Sequence, residues 1–151
     1  MAKTLSIYQR LSKFPMGNVI FSKALAFRAP YFSTLRPLVT ELRSGYCRVQ
    51  IKDRRKIQNH IGSINAGALC TLSELVGGLA VEASLPSALR WIPKDMTVKY
   101  AKMAKGKLTG TCSFDPKLLK PGDVSVSLEI LDESGDTVSK AIISFYVSHR
   151  K

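Results

Sequence analysis

Alternation of apolar and polar side chains dominates the second half of the chain and predicts four strands there. Trp91 to Met103 sets Met96, Val98 and Tyr100 against Thr97 and Lys99. Lys107 to Phe114 sets Leu108, Cys112 and Phe114 against Thr109, Thr111 and Ser113. Asp123 to Leu131 separates Val124, Val126, Leu128 and Ile130 with Ser125, Ser127 and Glu129. Thr137 to Ser148 sets Ala141, Ile143, Phe145 and Val147 against Ile142, Ser144 and Tyr146. Lys105-Gly106, Pro116 to Gly122 and Asp132 to Gly135 are the turns between them. Upstream, Leu38 to Leu42 and Tyr46 to Ile51 read as a hairpin turning at Ser44-Gly45. Leu5 to Ala26 reads as one or two helices, broken at Pro15-Met16-Gly17. Ala29-Pro30 stops them, because a residue before proline avoids the α region.

One segment fits neither a half-buried strand nor a surface helix. Ala66 to Ser84, ended by Pro86, is apolar almost all round, so the rest of the protein must wrap it. Glu74 sits inside it, and a carboxylate buried there costs several kcal/mol unless it has a partner or a task. Gly77 and Gly78 each cost about 1 kcal/mol against alanine in a helix, which predicts close approach of this helix to the sheet. Helix, two strands, long buried helix and four strands together predict an α+β domain. Its antiparallel sheet curls around the central helix, and the N-terminal helical segment, residues 1–30, packs on it. By length, residues 1–151 are one domain with a real core.

Composition adds limits. A hydrophobic fraction of 45% and a charged fraction of 23% are those of a globular protein. The longest apolar run, Ala66 to Ala83, is interrupted by Glu74, Glu82 and three glycines, short of the roughly 20 residues that span a bilayer. Twenty-three Lys and Arg against 11 Asp and Glu give a net charge of +12. That charge suits an anionic ligand or surface. It carries no aromatic RNP pattern, zinc finger or helix-turn-helix, so a nucleic-acid partner is not expected. Cys47, Cys70 and Cys112 are widely spaced with no Cys-x-x-Cys pair. They read as small buried hydrophobes in a reducing cytoplasm, with no metal and no cofactor. The first forty residues hold Lys3, Arg10, Lys13, Lys23, Arg28 and Arg36 and no acid. Such composition also occurs in mitochondrial transit peptides. A structural helical region is the favoured reading, with peripheral contact to a membrane surface as a further expectation.

The loop entering the buried helix carries a resemblance. Asn59-His60-Ile61-Gly62 is followed by Asn65-Ala66-Gly67, and Glu74 lies nine positions after Asn65 and fifteen after Asn59. This spacing resembles the acyl-CoA thioesterase branch of the hotdog-fold superfamily. Asn65-Ala66-Gly67 stands where that branch carries a His-Gly-Gly-like helix start. Lys94 to Tyr100 and Ala104 to Leu108 resemble a bacterial hotdog branch with no assigned function. The resemblance implies a hotdog fold, a homodimer or dimer of dimers, and an acyl thioester substrate. It also implies a site shared across the dimer, with a helix end of one subunit facing the acidic residue of the other. A serine or threonine at the start of the third strand is common in the family. Ser87 and Thr97 are nearby, but Pro93 holds the aligned place.

Thioester hydrolysis needs a polarised carbonyl and an activated water or a carboxylate nucleophile. The first N–H groups of a helix have no intrahelical partner, so Ala66 and Gly67 are candidate oxyanion donors, with Gly67 allowing close approach. Capping by Asn65 or Ser63 is the alternative use of that helix end. Glu74 is the candidate base or nucleophile. Asn59 is expected either to hold the water or carbonyl or to cap its own loop. His60 is expected to shape the pocket with Asn65. Arg54 and Arg55, beside Lys52 and Lys56, are candidates for the coenzyme A phosphates. The expected activity is acyl-CoA hydrolysis; the alternative is a non-catalytic acyl-thioester or lipid-binding protein, given the loss of the histidine at Asn65 and of the first glycine at Ala66.

Overall fold

The alternating segments fold into one six-stranded sheet, antiparallel at every pairing, in the spatial order Leu38–Arg43, Tyr46–Ile51, Leu108–Ser113, Gly122–Leu131, Thr137–His149, Leu89–Tyr100. The computed structural model describes residues 3–150; residues 1, 2 and 151, the ends of the predicted domain, lie outside them. The strands are β1 (Leu38–Arg43), β2 (Tyr46–Ile51), β3 (Leu89–Tyr100), β4 (Leu108–Ser113), β5 (Gly122–Leu131) and β6 (Thr137–His149). The helices are α1 (Lys3–Leu11), α2 (Gly17–Arg28) and α3 (Ala66–Ser84). β3 starts two residues earlier and ends three residues earlier than its alternation predicts, and Ala101 and Lys102 leave the ladder by bonding Val138. The single long helix on a curled antiparallel sheet is the hotdog fold.

α3 is the centre of the core. Leu72, Val76, Ala80 and Val81 are fully buried, facing inward residues of the sheet such as Val49, Leu108, Ile130, Ile143 and Phe145. Both helix glycines serve close approach. A Cβ on Gly77 would meet Ile143 Cδ1 at 2.9 Å, and one on Gly78 would meet the Trp91 indole at 3.1 Å. By length and composition alone α3 is long and apolar enough to cross a membrane. About two thirds of it is buried inside the protein, which accounts for its apolarity.

The N-terminal helices are built into this core. Leu5, Tyr8 and Phe21 are buried, and the Tyr8 and Phe21 rings meet edge-on at 5.1 Å. A bulge between Val39 and Glu41 takes Thr40 out of register in β1. Its carbonyl accepts from Tyr8 Oη at 3.0 Å and from Asn18 Nδ2 at 3.3 Å, and Val39 N–H donates to Ser22 Oγ at 2.8 Å. Both helices are therefore pinned to the β1 edge.

The corner between them is tight. A Cβ on Gly17 would lie 1.8 Å from the Leu11 carbonyl oxygen, which is backbone and cannot rotate away. Gly17→Ala should cost about 3 kcal/mol and lower the melting temperature by roughly 6–12 °C in a thermal scan. An unchanged melting temperature would mean that the corner opens without loss.

Cys47 and Cys112 are buried as expected, and burial pushes the Cys47 thiol far up and the Cys112 thiol up to about 12. Cys70 departs from expectation: it is half-exposed, with Sγ 3.1 Å from Tyr100 Oη.

Candidate functional site

The start of α3 is set by the loop before it. Asn59 N–H donates to the Ser63 carbonyl at 2.8 Å, and Gly62, at φ 74°, makes the turn between them. The Asn59 side chain is used up inside this loop. Its Nδ2 donates to Ser63 Oγ at 2.8 Å, and its Oδ1 accepts from Ile61 and Ser63 N–H, both at 3.1 Å. Of its two expected roles, the structure displays the loop cap. Ile64 and Asn65 N–H then donate to the carbonyls of Ala104 and Ile57, fixing where the helix begins.

Asn65 is an extended N-cap, φ −63° and ψ 143°, and its Oδ1 accepts from Gly67 N–H at 2.7 Å. The close approach that Gly67 permits is to this cap: a Cβ there would lie 3.1 Å from Asn65 Oδ1. Ala68 and Leu69 N–H donate to the Asn65 carbonyl. Ala66 N–H, the first of the helix, meets no acceptor among the described residues. Of the two predicted oxyanion donors, Ala66 is free and Gly67 is engaged.

Glu74 is half-buried, not wrapped as the all-round apolarity of α3 implied. α1 and α2 stand off from this part of α3 and leave a cleft of about 690 Å³. Glu74 forms part of its wall with Ile7, Phe21, Leu25, Leu75 and Leu79. Among the described residues its carboxylate has no hydrogen bond and no ion pair. Glu82 lies on the same helix face two turns on and lines the same cleft. It is engaged: Trp91 Nε1 donates to it at 2.7 Å and Thr4 Oγ1 at 3.2 Å. Sequence reasoning treated Glu82 only as an interruption of the apolar run. Its i+8 spacing from Glu74 was the available signal, since residues at i and i+8 fall within one broad stripe of a helix.

Ala66 and Glu74 are eight positions apart, roughly 12 Å along the axis, so one chain does not bring the free donor and the free carboxylate together. His60 and Arg55 are exposed. Arg54 is half-buried; its guanidinium donates to the Thr34 carbonyl, and burial together with nearby Arg36 lowers its pKa. Arg54 thus fastens the segment before β1. Thr97 is exposed on β3 opposite Ile142, and Ser87 is exposed in the turn before that strand.

A long central helix cradled by a curled antiparallel sheet defines a protein of the hotdog superfamily; the Ala66 N–H at the start of that helix and the Glu74 carboxylate midway along it are free among the described residues. Within it, the chain belongs to the DUF4442 family, a domain of unknown function, which matches residues 17–147. Solved structures share the fold over most of the chain. The crystal structure of the protein APC5556 is 33% identical, covers 99% of this chain and 100% of its own, and superposes with a TM-score of 0.87. PA5026 of Pseudomonas aeruginosa, a protein of unknown function described as a probable thioesterase, is 26% identical over 91% of this chain and 97% of its own, with a TM-score of 0.79. The thioesterase HI1161 of Haemophilus influenzae, at 15% identity over 79% of this chain and 82% of its own, shares the fold with a TM-score of 0.71. No protein of curated function matches the sequence.

Proposed function

We propose that the protein hydrolyses acyl-CoA thioesters as a homodimer, with Glu74 of one subunit working opposite the α3 N-terminus of the other. The observation that carries this reading is the Glu74 carboxylate, without a partner among the described residues at a largely apolar cleft, while Glu82, two turns further along the same wall, is fully engaged. Its support from relatives is PA5026, a probable thioesterase. In the proposed reaction the thioester carbonyl oxygen accepts from Ala66 N–H. Glu74 takes a proton from water as the water oxygen bonds to the carbonyl carbon. The tetrahedral oxyanion collapses, the C–S bond breaks, and the leaving thiolate takes the proton held by Glu74, giving free thiol and the carboxylic acid and restoring the Glu74 carboxylate. The cleft receives the acyl chain. Exposed Lys52, Arg55 and Lys56 are the proposed partners of the coenzyme A phosphates, and Asn59, Asn65 and His60 shape the entrance. Unpaired cysteines fit a reducing compartment, and the cytoplasm is the one proposed.

The dimer is proposed to form through β3. Among the described residues this edge strand pairs only with β6, carries Pro93 beside a bulge, and leaves its outer edge open. Ile92 and Tyr100, 58% and 51% exposed, stand near its ends. Ile92→Asp with Tyr100→Asp should convert the dimer to a folded monomer in light scattering, with loss of activity. A wild-type monomer at working concentration would sink the shared site.

A second reading is favoured by one observation. With Gly67 N–H taken by Asn65, a single donor remains at the helix end, which suits a protein that binds an acyl thioester without turning it over. Free-thiol release from short, long and aromatic acyl-CoAs separates the two. Turnover supports the hydrolase; thermal stabilisation by the same panel without thiol release supports the binding protein.

A further inference from the structure

α2 is apolar on two opposite sides, and among the described residues only one of them has a partner. Phe21, Ser22 and Leu25 face the core. On the outer side, Met16, Ile20, Lys23 and Phe27 follow each other at spacings of four, three and four, which is one continuous stripe of a helix. Phe27 is 89% exposed, Met16 67% and Ile20 52%. The turns at either end extend the stripe with Phe14, and with Tyr31 at 71% exposure. Alongside it a shallow groove of about 870 Å³ is lined by Lys23, Phe27, Pro30 and Arg36. This face cannot turn inward to hide itself, because Asn18 and Ser22 of α2 and Tyr8 of α1 are bonded to β1.

We propose that the outer face of α2 and its flanking turns form a docking surface for an anionic lipid bilayer. Phe14, Phe27 and Tyr31 sit at headgroup level, and Lys13, Lys23 and Arg36 pair with lipid phosphates. Charge complementarity selects this occupant. The first acidic residue of the chain is Glu41 and no carboxylate lines the groove, so aromatic and cationic groups share this surface. Aromatic side chains favour the bilayer interface, and basic residues beside them favour anionic leaflets. Burying the same face against a second copy would set Lys23 near Lys23 with nothing to neutralise either.

Co-sedimentation of the full chain with phosphatidylcholine vesicles, with and without equimolar phosphatidylglycerol, tests the proposal. The expected result is pelleting with the anionic vesicles only, falling as salt is raised. Phe27→Ser with Tyr31→Ser, and separately Lys23→Glu with Arg36→Glu, should each weaken partitioning by about tenfold or more. All four side chains lie outside the core, so circular dichroism and melting temperature should stay at wild-type values. No pelleting with anionic vesicles overturns the proposal, as does equal pelleting of wild type and both double variants. Concentration-dependent self-association that Phe27→Ser abolishes, without any lipid binding, would overturn it too by assigning the face to a second copy.

Discussion

Glu74→Gln is expected to lower the hydrolytic rate by about 10²–10⁴-fold, the range a general base contributes. The substitution keeps the side-chain shape and removes only the capacity to hold a proton from water. Because the Glu74 carboxylate makes no hydrogen bond among the described residues, the fold should not register the change. Glu82→Gln is the control on the same helix face. Its carboxylate accepts from Trp91 and Thr4, tying α3 to β3 and α1, so weakening it should cost stability and leave the rate nearly intact. Thiol release at saturating acyl-CoA, read beside melting temperature, separates the pair. Turnover that survives Glu74→Gln would remove Glu74 from the mechanism, and equal loss in both variants would point to a general packing effect.

The two carboxylates also show where sequence reasoning stopped. Period-2 alternation in β5 and β6 was legible because one face of each strand is buried and the other wet, and a one-residue slip would exchange them. The limits of α3 were legible because Asn65 is a local start signal and Pro86 a local stop signal. Burial of Glu74 was inferred from the composition of α3 alone. Composition cannot tell a wall of packed side chains from a wall facing a cleft, and the gap under α1 and α2 depends on the angle at the Gly17 corner. Asn59 illustrates the same limit. Its spacing to Glu74 resembles a family motif, yet whether its amide points at a ligand or at Ser63 depends on loop torsions that no spacing encodes. The role of the N-terminal segment was legible only as helix plus charge. Its anchoring comes from a β1 bulge that frees the Thr40 carbonyl, and nothing in Leu38 to Arg43 announces that bulge.

Ala66→Pro should remove the proposed oxyanion donor without disturbing the helix. Proline is favoured at the first helical position, where its missing N–H has no intrahelical partner to lose. The residue before a proline must be extended, and Asn65 already is, at φ −63° and ψ 143°. The Asn65 cap bond runs to Gly67, not to Ala66, so it survives. Loss of one such donor lowers turnover by about 10²–10³-fold in acyl-transfer enzymes. Melting temperature should hold or rise, since proline restricts the unfolded chain. If the site is shared across a dimer, mixing Ala66→Pro subunits with Glu74→Gln subunits must restore activity. One of the two sites in each mixed dimer then joins an intact Ala66 N–H to an intact Glu74. Recovery on mixing two inactive proteins would establish that donor and base act across subunits. Failure to recover, with subunit exchange verified, would require both groups to act within one chain, which their separation along α3 opposes.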